Sequence, residues 1–426
     1  MAGEPLRVAL LTYKGNPFCG GQGVYVRHLS RELCGLGHHV EVFSGQPYPE
    51  LDPGPVLREV PSLDLYRDSD PFRTPRWGEY RDGADVLETA MMWGGAFPEP
   101  LTFSIRARRV LAERARDFDV VHDNQGLGYG MLGVRRLGLP LVTSIHHPIS
   151  VDKRIDLASS GRLAALNKRR WYGFVRMQAR VARRLAGTTP LITVSESSRD
   201  DICRDFRVRP EHVHIIPLGV DTRIFRPRPS PRVPGRIVAV ASADSPIKGT
   251  GTLLRAVGKL TTDTDAHLIV VGQPAPATER LTGQLSLADR VTFTHGLSDE
   301  AFSALLASAE MAVVPSLYEG FSLPAVEHMA SGTPLVASRT GALPEVTGDA
   351  AVLVTPGEDE ELAAVLRRLY YSPAERAALA DRGLRRVGER FAWPAVAQAT
   401  VGQYLTAMER LATRTARTTR KGQAEC

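Results

Sequence analysis

The sequence is poor in cysteine and has no long hydrophobic run. Its cysteines, Cys19, Cys34, Cys203 and Cys426, stand far apart, with no C-x-x-C pair and no histidine at metal-ligand spacing. This pattern argues against a disulfide framework or a zinc site and predicts reduced thiols. No apolar stretch approaches the roughly 20 residues that a membrane-spanning helix needs. With 43% hydrophobic and 23% charged residues, the composition is that of a soluble globular protein.

The N-terminus lacks the basic-then-apolar pattern of a signal peptide. Residues 1–5 lead directly into a strand-like run at residues 7–12. We therefore expect the protein in the cytoplasm.

Lysine is scarce, because only six of the 53 basic residues are lysine and the others are arginine. A GC-rich genome produces such a skew, so the net charge of +6 is poor evidence for nucleic-acid binding, and we expect no nucleic-acid partner. Residues 153–184 nevertheless carry ten basic residues. This segment is either a solvated helical face or a surface that contacts an anionic acceptor or the inner face of an anionic membrane.

Strand-like and helix-like periods alternate along the 426 residues, which is typical of an α/β protein with parallel sheets. The length suits two domains of roughly 200 residues each, and a proline cluster near residues 227–234 marks the linker. We predict two Rossmann-like, doubly wound domains facing a cleft. The predicted ranges are 1–222 with a returning helix at about 391–411, then 223–390, and a basic tail at 412–426.

Residues 47–100 interrupt this regular alternation. They are rich in proline, aspartate and aromatic residues. They predict a long irregular insertion near a functional face.

The most informative segment is P-S-L-Y-E-G-F-S-L-P-A-V-E at Pro315–Glu327. It predicts a strand that ends in a loop, followed by a helix whose early turns hold Glu327. Free backbone N–H groups at such a helix start suit a diphosphate. Glu319 could accept hydrogen bonds from sugar hydroxyls, and Glu327 from another polyol such as ribose. The alternative is two surface glutamates near a helix start.

Candidates in the first domain stand at strand ends. Gly20-Gly21-Gln22-Gly23 follows the first strand, but the third glycine of a dinucleotide-binding fingerprint is missing. The second strand also ends without the ribose-binding acid, which argues against a dehydrogenase. His122 with Asp123, and His146 further along, end two later strands. The alternative for each histidine is a structural role.

The segment Pro315–Glu327 resembles the donor-site motif of the family-4 retaining glycosyltransferases, which have the two-domain GT-B fold. Further segments are similar to motifs of that family: A-S-G-T-P-L-V-A at 330–337, G-A-L-P-E-V at 341–346, I-P-L-G-V-D at 216–221 and F-A-W at 391–393. The resemblance extends over nearly the whole chain.

The resemblance implies a retaining, metal-independent glycosyltransferase. It would move a sugar from a nucleoside-diphosphate sugar, its co-substrate, to a hydroxyl acceptor such as a glycolipid, a polysaccharide or a small polyol, without a cofactor. Residues 1–222 would hold the acceptor and residues 223–390 the donor.

The resemblance also assigns residues to this reaction. Glu319 would contact the donor sugar, Glu327 the nucleotide ribose, and Lys248 the donor phosphates. The implied catalytic residues are His146 and Glu319, and His122 and Asp123 are acceptor-side candidates. The implied donor-binding residues are Gly21, Lys248, Glu319, Gly320, Phe321, Ser322, Leu323 and Glu327.

One position departs from the family pattern. The family has an arginine five residues before the lysine, where this sequence has Ala243. One phosphate-binding cation is therefore missing or supplied by another residue. The D-x-D pairs Asp68-Ser69-Asp70 and Asp263-Thr264-Asp265 lie in polar loops, so we interpret them as turns and predict no metal site.

Two other functions are compatible with the sequence. A sugar-nucleotide epimerase on a similar two-domain fold would convert the donor with no acceptor present. A non-catalytic protein would bind a nucleotide sugar or carbohydrate without transfer or hydrolysis. The presence of both glutamates and Lys248 argues against the non-catalytic alternative.

Overall fold

The structure is a computed structural model that describes residues 4–16, 21–67, 69–158, 161–241 and 246–424. The chain divides into two compact units. Unit 1 comprises Met1–Val194, Ser198–Ile216 and Trp393–Cys426, and unit 2 comprises Ser195–Ser197 and Pro217–Ala392. The main boundary between the units thus follows Ile216, whereas we predicted it after residue 222.

Each unit is built on one parallel sheet. In unit 1 the strands are β1 Arg7–Thr12, β2 His39–Ser44, β3 Val56–Glu59, β4 Val120–Asn124, β5 Leu141–Ser144, β6 Leu191–Thr193 and β7 Val213–Ile215. In unit 2 they are β8 Val233–Val240, β9 His267–Val271, β10 Val291–Thr294, β11 Ala309–Val314, β12 Leu335–Ser338 and β13 Ala351–Val354. The strand orders are β3-β2-β1-β4-β5-β6-β7 and β10-β9-β8-β11-β12-β13.

Helices connect these strands and flank the sheets. In chain order they are α1 Gln22–Gly35, α2 Gly83–Trp93, α3 Glu99–Glu113, α4 Gly130–Val134, α5 Ser150–Ala158, α6 Arg162–Trp171, α7 Phe174–Leu185, α8 Glu196–Phe206, α9 Thr250–Leu260, α10 Pro276–Gln284, α11 Asp299–Ser308, α12 Leu323–Ala330, α13 Leu343–Thr347, α14 Asp359–Tyr370, α15 Pro373–Arg390 and α16 Trp393–Ala424. The predicted α/β class with two doubly wound units is confirmed.

The strand order shows where each sheet could bind a ligand. It reverses direction between β1 and β4 in unit 1 and between β8 and β11 in unit 2. At such a switch point the loops leaving the carboxyl ends of neighbouring strands diverge to opposite faces and leave a crevice. The central strands β1 and β11 are fixed in place by burial, because nearly all of their side chains are buried.

Residues 47–100 are more regular than we predicted. Val56–Glu59 forms β3, which pairs with β2 at the edge of the sheet. Asp82 caps α2, since its carboxylate accepts hydrogen bonds from the N–H groups of Ala84 and Asp85 at 2.8 and 3.2 Å. The prediction of an irregular insertion was wrong for these two elements, because an edge strand of four residues and a single cap leave little periodicity in the sequence. Residues 60–67 and 69–76 contain no helix or strand, as predicted.

The end of the chain also differs from the prediction of a basic tail at 412–426. Helix α16 continues to Ala424 and belongs to unit 1, with Trp393 and Tyr404 buried. The hydroxyls of Thr413 and Thr415 donate to helix carbonyls one turn earlier, at 2.9 and 3.1 Å. Such hydrogen bonds are compatible with a helix, so polar composition alone was a poor guide to where the helix ends.

Candidate active site

In unit 2, the loop between β11 and α12 is held from both sides at the switch point. The N–H of Leu317 donates to the carbonyl of Ile247 at 2.7 Å. From the other side, the Thr340 hydroxyl donates to the carbonyl of Leu317 at 3.0 Å. The loop that carries Glu319 is thus fixed between the segments that leave β8 and β12.

Two glycines allow these segments to approach the loop. Gly249 has φ +67°, and a Cβ added there would lie 2.0 Å from the carbonyl oxygen of Pro315. Gly341 has φ +51°, and its Cβ would lie 2.2 Å from the carbonyl oxygen of Glu319. The N–H of Ala342 also donates to that same Glu319 carbonyl, at 2.9 Å. Only glycine fits at both positions, which is the physical reason for the glycine in each motif.

Glu319 and Lys248 form an ion pair at this edge of the sheet. The Nζ of Lys248 lies 2.8 Å from Oε1 of Glu319, and the Ser316 hydroxyl donates to the same oxygen at 2.7 Å. The Glu319 side chain is 9% exposed and that of Lys248 is 26% exposed. The structure therefore brings together two residues that lie 71 positions apart and that sequence motifs had linked to the same ligand.

Glu327 differs from Glu319, because its carboxylate has no hydrogen-bond or ion-pair partner among the described residues. It lies in α12 and is half-buried. Burial, with a smaller contribution from the negative charge of Asp299, raises the pKa of Glu327 to about 7. An unpaired carboxylate in such a place is costly for the fold, so a ligand that donates hydrogen bonds would be stabilised there.

We expect Glu327→Gln to stabilise the protein only at high pH. A carboxyl whose pKa rises from 4.5 to about 7 on folding contributes stability below pH 4.5 that is lost as the pH rises through 7. The melting temperature of the variant should therefore match the wild type at pH 5 and exceed it at pH 8. Calorimetric scans at both values test this, with Glu279→Gln on α10 as a control that should show no such pH dependence. Equal melting temperatures at pH 8 would contradict an unpaired carboxylate.

The residues that follow Glu319 contribute backbone groups, more than side chains, to the candidate site. Phe321 is 5% exposed and packs its ring edge-on against Phe391 at 5.7 Å. Ser322 precedes α12 with φ +86°, an uncommon conformation for a residue other than glycine. Its buried hydroxyl makes no capping hydrogen bond and has no partner among the described residues. Gly320 and Leu323 are half-buried on either side. The N-terminal N–H groups of α12 lie in this loop, as the sequence predicts for an anion site.

In unit 1, the structure describes two glycines of the glycine-rich segment between β1 and α1, Gly21 and Gly23. Gly21 has φ +70° with open space around its Cβ position. Gly23 is required for a different reason, since a Cβ there would lie 2.2 Å from the carbonyl oxygen of Asn16. Gly20 lies outside the described residues.

His146 follows β5 and is half-buried. Its Nε2 lies 2.7 Å from the amide oxygen of Asn124, and its backbone N–H donates to the side-chain oxygen of Gln125 at 2.6 Å. Burial lowers the pKa of His146 to about 3, so the ring is neutral. With Nε2 donating its proton to Asn124, Nδ1 carries the lone pair, and it has no partner among the described residues. His146 therefore presents an unused hydrogen-bond acceptor next to the ring of Tyr25, 4.6 Å away between centroids.

His122 has a structural position and does not support an acceptor-side role. It is fully buried, and its two ring nitrogens bond to the Tyr404 hydroxyl at 2.8 Å and the Ser144 hydroxyl at 2.7 Å. Burial lowers its pKa to about 3. The side chain thus connects β4 and β5 to α16, and no ring nitrogen is left for a substrate.

Asp123 is likewise used by the fold. It is 1% exposed, its carboxylate accepts the N–H of Leu127 at 2.9 Å, and burial raises its pKa to about 6. A Cβ on Gly126 would lie 2.3 Å from its Oδ1. The position at a strand end suggested an acceptor contact, but the carboxylate points into the following turn and shapes it.

Comparison with known proteins agrees with these motifs. The model of the Glycosyltransferase Family 4 domain matches residues 19–224, and that of the Glycosyl transferases group 1 domain matches residues 234–372. The chain belongs to this glycosyltransferase family. It is 55% identical over 413 residues to the MMP α-(1→4)-mannosyltransferase of Mycolicibacterium hassiacum, covering 96% of this chain and 100% of the relative.

Solved structures support the GT-B glycosyltransferase fold. Sucrose-phosphate synthase from Thermosynechococcus elongatus superposes with a TM-score of 0.72 at 23% identity, covering 94% of this chain and 98% of that one. The HepE protein of Anabaena, in complex with UDP and glucose, has a TM-score of 0.68 at 18% identity, covering 94% and 100%. At these identities the similarity establishes the fold of this glycosyltransferase and nothing finer.

Some sequence features of the glycosyltransferase lie outside the described residues. Ala243, where the family has a phosphate-binding arginine, is one of them, and Asp68 of the first D-x-D pair is another. In the second pair, Asp263 forms an ion pair with Arg367, with Oδ2 and Nε 2.9 Å apart, and Asp265 is almost fully exposed.

The basic segment 153–184 forms parts of α5, α6 and α7. Lys168 pairs with Asp156, 2.6 Å between Nζ and Oδ1. Lys153, Arg169 and Arg176 form no ion pair with any described residue. Burial and the positive charges of Arg176 and Arg169 lower the pKa of Lys153, which indicates that the three side chains lie near one another. In the part of the chain that the structure describes, no helix has the length and apolar character to cross a bilayer.

Proposed function

We propose that the protein transfers a sugar from a nucleoside-diphosphate sugar to a hydroxyl acceptor, retains the anomeric configuration, and uses neither a metal ion nor a cofactor. The observation that carries this proposal is the Lys248–Glu319 pair, 2.8 Å between Nζ and Oε1, beside the N-terminus of α12 at the switch point of unit 2. One fixed cation, free helical N–H groups and a buried carboxylate match the diphosphate and the hydroxyls of such a donor.

Each group has a part in donor binding. The ammonium of Lys248 would neutralise the diphosphate, whose charge grows as the bond to the sugar breaks. Glu319 would accept hydrogen bonds from donor sugar hydroxyls, and Glu327, which lacks a partner in the free protein, would accept those of the ribose. Backbone groups of Gly320–Leu323 would meet the sugar and the diphosphate.

The relative at 55% identity supports a proposal for the sugar and the linkage. That relative is named as an α-(1→4)-mannosyltransferase. We propose that this protein also transfers mannose, and that the new bond is made to a hydroxyl at the 4-position of a sugar. An α-linked product would have the same anomeric configuration as the usual nucleotide-mannose donor, which is consistent with retention.

We propose a same-face transfer. The acceptor oxygen forms the new bond to the anomeric carbon on the side from which the phosphate leaves, and the leaving phosphate oxygen takes the acceptor proton. Glu319, which bonds Lys248 and Ser316, is engaged in donor binding and is not assigned as a covalent nucleophile. The neutral His146, with its unused Nδ1, would accept a hydrogen bond from a hydroxyl of the transferring sugar.

The test is product analysis with purified protein. GDP-mannose and UDP-mannose are first compared by thermal shift, since a bound donor raises the melting temperature by mass action. Proton NMR of the product with methyl α-mannoside as acceptor then gives the anomeric configuration. An inverted product would contradict retention, conversion of the donor without acceptor would indicate an epimerase, and binding without transfer or hydrolysis would indicate a non-catalytic protein. Unchanged turnover after treatment with a chelator is expected.

We also propose a cytoplasmic location with peripheral contact between segment 153–184 and an anionic membrane, and no nucleic-acid partner. Lys153, Arg169 and Arg176, which lack ion-pair partners among the described residues, support this contact.

We expect the protein to co-sediment with vesicles that contain phosphatidylglycerol but not with pure phosphatidylcholine vesicles. This binding should be lost in about 0.5 M salt, because screening weakens contacts between exposed charges. The variant Arg169→Glu/Arg176→Glu should lose binding, and Arg280→Glu/Arg385→Glu, with the same charge change on unit 2, should keep it. If the wild type does not sediment, the segment is a solvated helical face.

A further inference from the structure

Asn124, the last residue of β4, is fully buried at the carboxyl edge of the unit 1 sheet. Its side-chain oxygen lies 2.7 Å from Nε2 of His146, which follows the neighbouring strand β5. This hydrogen bond joins two strand ends at the edge where an open α/β sheet binds ligands. None of the roles proposed above uses Asn124, although it contacts the histidine that we propose to meet the transferring sugar.

The fold uses the side chain of Asn124 only through this histidine. The bond to His146 is the one hydrogen bond that the Asn124 amide makes to any described residue, and its buried NH₂ group has no partner among those residues. Buried polar groups are nearly always paired, and an asparagine that merely filled the core would pair both halves of its amide. The residue type at this position is therefore explained by what it does to His146.

The next residue, Gln125, holds the backbone of the same histidine. Its N–H donates to the carbonyl of Ser144 at 2.9 Å. Its side-chain oxygen accepts the N–H of His146 at 2.6 Å, and its side-chain NH₂ donates to the carbonyl of His147 at 3.0 Å. Gln125 has φ +61°, an uncommon conformation for a residue other than glycine, and such strain concentrates at functional sites.

Packing fixes the plane of the His146 ring. Tyr25 of α1 lies edge-on against it, with 4.6 Å between ring centroids and 75° between ring planes. Tyr25 is itself 4% exposed, so its ring is held in place by the core. Backbone, packing and one hydrogen bond thus fix His146, and the position of its proton is what remains for Asn124 to determine.

The hydrogen bond from Nε2 determines the state of Nδ1. A neutral imidazole has one N–H and one lone pair, so the bond that one nitrogen makes sets the role of the other. Because the Asn124 oxygen can only accept, Nε2 of His146 carries the proton and the buried Nδ1 keeps the lone pair, without a partner among the described residues. The reverse orientation of the amide would place the proton on Nδ1.

An amide suits this position better than a carboxylate. A carboxylate beside an imidazole raises its pKa, and a doubly protonated ring has no lone pair with which to accept a hydrogen bond. Among the described residues, the titratable side chains that interact with the ring are those of Tyr25, His122 and His147, none of which is a carboxylate. Asn124 therefore fixes the proton without charging the ring.

We propose that Asn124 is a positioning residue for glycosyl transfer, which holds His146 as the tautomer with its proton on Nε2 so that Nδ1 accepts a hydrogen bond from the transferring sugar. This proposal rests on the proposed contact between His146 and that sugar, and it names the group that makes the histidine an acceptor. Asn124 acts through His146 and takes no part in bond breaking.

The first experiment locates the proton by nitrogen NMR of protein with labelled histidines. A ring nitrogen with a proton and one with a lone pair resonate far apart, and the His146 signals are those that disappear in His146→Phe. We expect the Nε2–H tautomer in the wild type, and a loss of that preference in Asn124→Leu. A proton on Nδ1 in the wild type would overturn the proposal. If His146→Phe does not fold, the signals are assigned by their shift in Asn124→Asp.

The second experiment measures what the tautomer does for transfer. With methyl α-mannoside as acceptor, Asn124→Leu should lower turnover by about 10–100-fold, because the acceptor for the transferring sugar is no longer positioned. The affinity for a nucleoside diphosphate, which lacks the sugar, should stay at the wild-type value in calorimetric titration. A purely structural role would lower both quantities.

Asn124→Asp gives a readout that only an effect on the proton would produce. The carboxylate keeps an acceptor opposite Nε2 of His146 but raises the pKa of the ring. Turnover should therefore approach the wild type at high pH and fall, relative to the wild type, as the pH drops through the raised pKa. The wild-type ring, whose pKa is lowered to about 3 by burial, stays neutral over this range.

Thr143→Val on β5 is the matched control. Thr143 is fully buried in the same sheet, and its hydroxyl has no partner among the described residues. A replacement of the same shape should therefore leave the tautomer of His146 and the turnover unchanged. Wild-type turnover in Asn124→Leu would overturn the proposal, as would a loss of turnover that Asn124→Asp restores at no pH.

The failure of the proposed function is a separate result. If the wild type transfers no sugar to any acceptor, the NMR measurement still decides the role of Asn124. An Nε2–H tautomer in the wild type that Asn124→Leu loses would support the positioning of His146, and any other tautomer result would overturn it. If the wild type transfers sugar with the proton on Nδ1, the proposed function stands and the role of Asn124 is wrong.

Discussion

Replacing Glu319 by alanine is expected to lower turnover by about 10²–10³-fold, in the range seen when one transition-state contact is removed. The carboxylate is 9% exposed and binds both the ammonium of Lys248 and the hydroxyl of Ser316 through one oxygen. Removal of the carboxylate would leave the hydroxyls of the donor sugar without this hydrogen-bond acceptor. It would also leave the ammonium of Lys248 without a fixed position. Since a small positional error at the reacting centre is costly, both effects act on the rate of transfer.

The measurement is the initial rate at saturating donor and acceptor, together with donor affinity by calorimetry. Glu279→Ala on α10, an exposed glutamate of the same unit, is the matched control and should keep full activity. Glu319→Gln keeps an acceptor oxygen but loses the charge, and it should fall between the wild type and Glu319→Ala. A Glu319→Ala protein with near-full turnover would contradict the assignment.

Lys248→Ala is expected to weaken the binding of a nucleoside-diphosphate donor by about 10–100-fold, which corresponds to one charge-assisted hydrogen bond. Lys248 lies in a single helical turn, Pro246–Lys248, that is bonded to the Glu319 loop through Ile247 and Leu317. The backbone thus holds Lys248 beside the Glu319 loop, and the ion pair with Glu319 positions its ammonium. Turnover should fall as well, because the cation stabilises the charge on the leaving phosphate.

Calorimetric titration with nucleoside diphosphate measures this loss. Lys259→Ala is the control, since that lysine is a half-exposed residue of α9 whose partners Asp359 and Glu360 lie on α14 of the same unit. Unchanged nucleotide affinity in Lys248→Ala would reject Lys248 as the phosphate-binding cation. In the double variant with Glu319→Ala, the two losses should sum to more than the measured effect, because the residues are in direct contact.

The fold could be predicted from local patterns because those patterns are themselves the cause of the structure. Short apolar runs such as 7–12 became central strands, and the glycines of the motifs stand where a Cβ would strike a neighbouring carbonyl oxygen. The prediction failed where local pattern is weak. Residues 47–100 hold an edge strand and a capped helix, and the predicted basic tail is largely helical.

The candidate site was predictable in one unit and less so in the other. In unit 2, Lys248 and Glu319 were named from motifs and lie in contact, while their roles toward the donor stay predictions. In unit 1, the position of His122 at a strand end suggested a ligand contact, but both its nitrogens bond to other parts of the fold.

The sequence by itself determined the family, the α/β class and the motif that holds Glu319 and Glu327, because these depend on residue types at fixed spacing along the chain. The tertiary structure decided which polar groups are used up by the fold and which are left over. His122 is satisfied by residues far along the chain and Asp123 by the turn that follows it, whereas Glu327 is left without a partner among the described residues. Burial and hydrogen bonding depend on residues far apart in the sequence, so spacing along the chain does not reveal them.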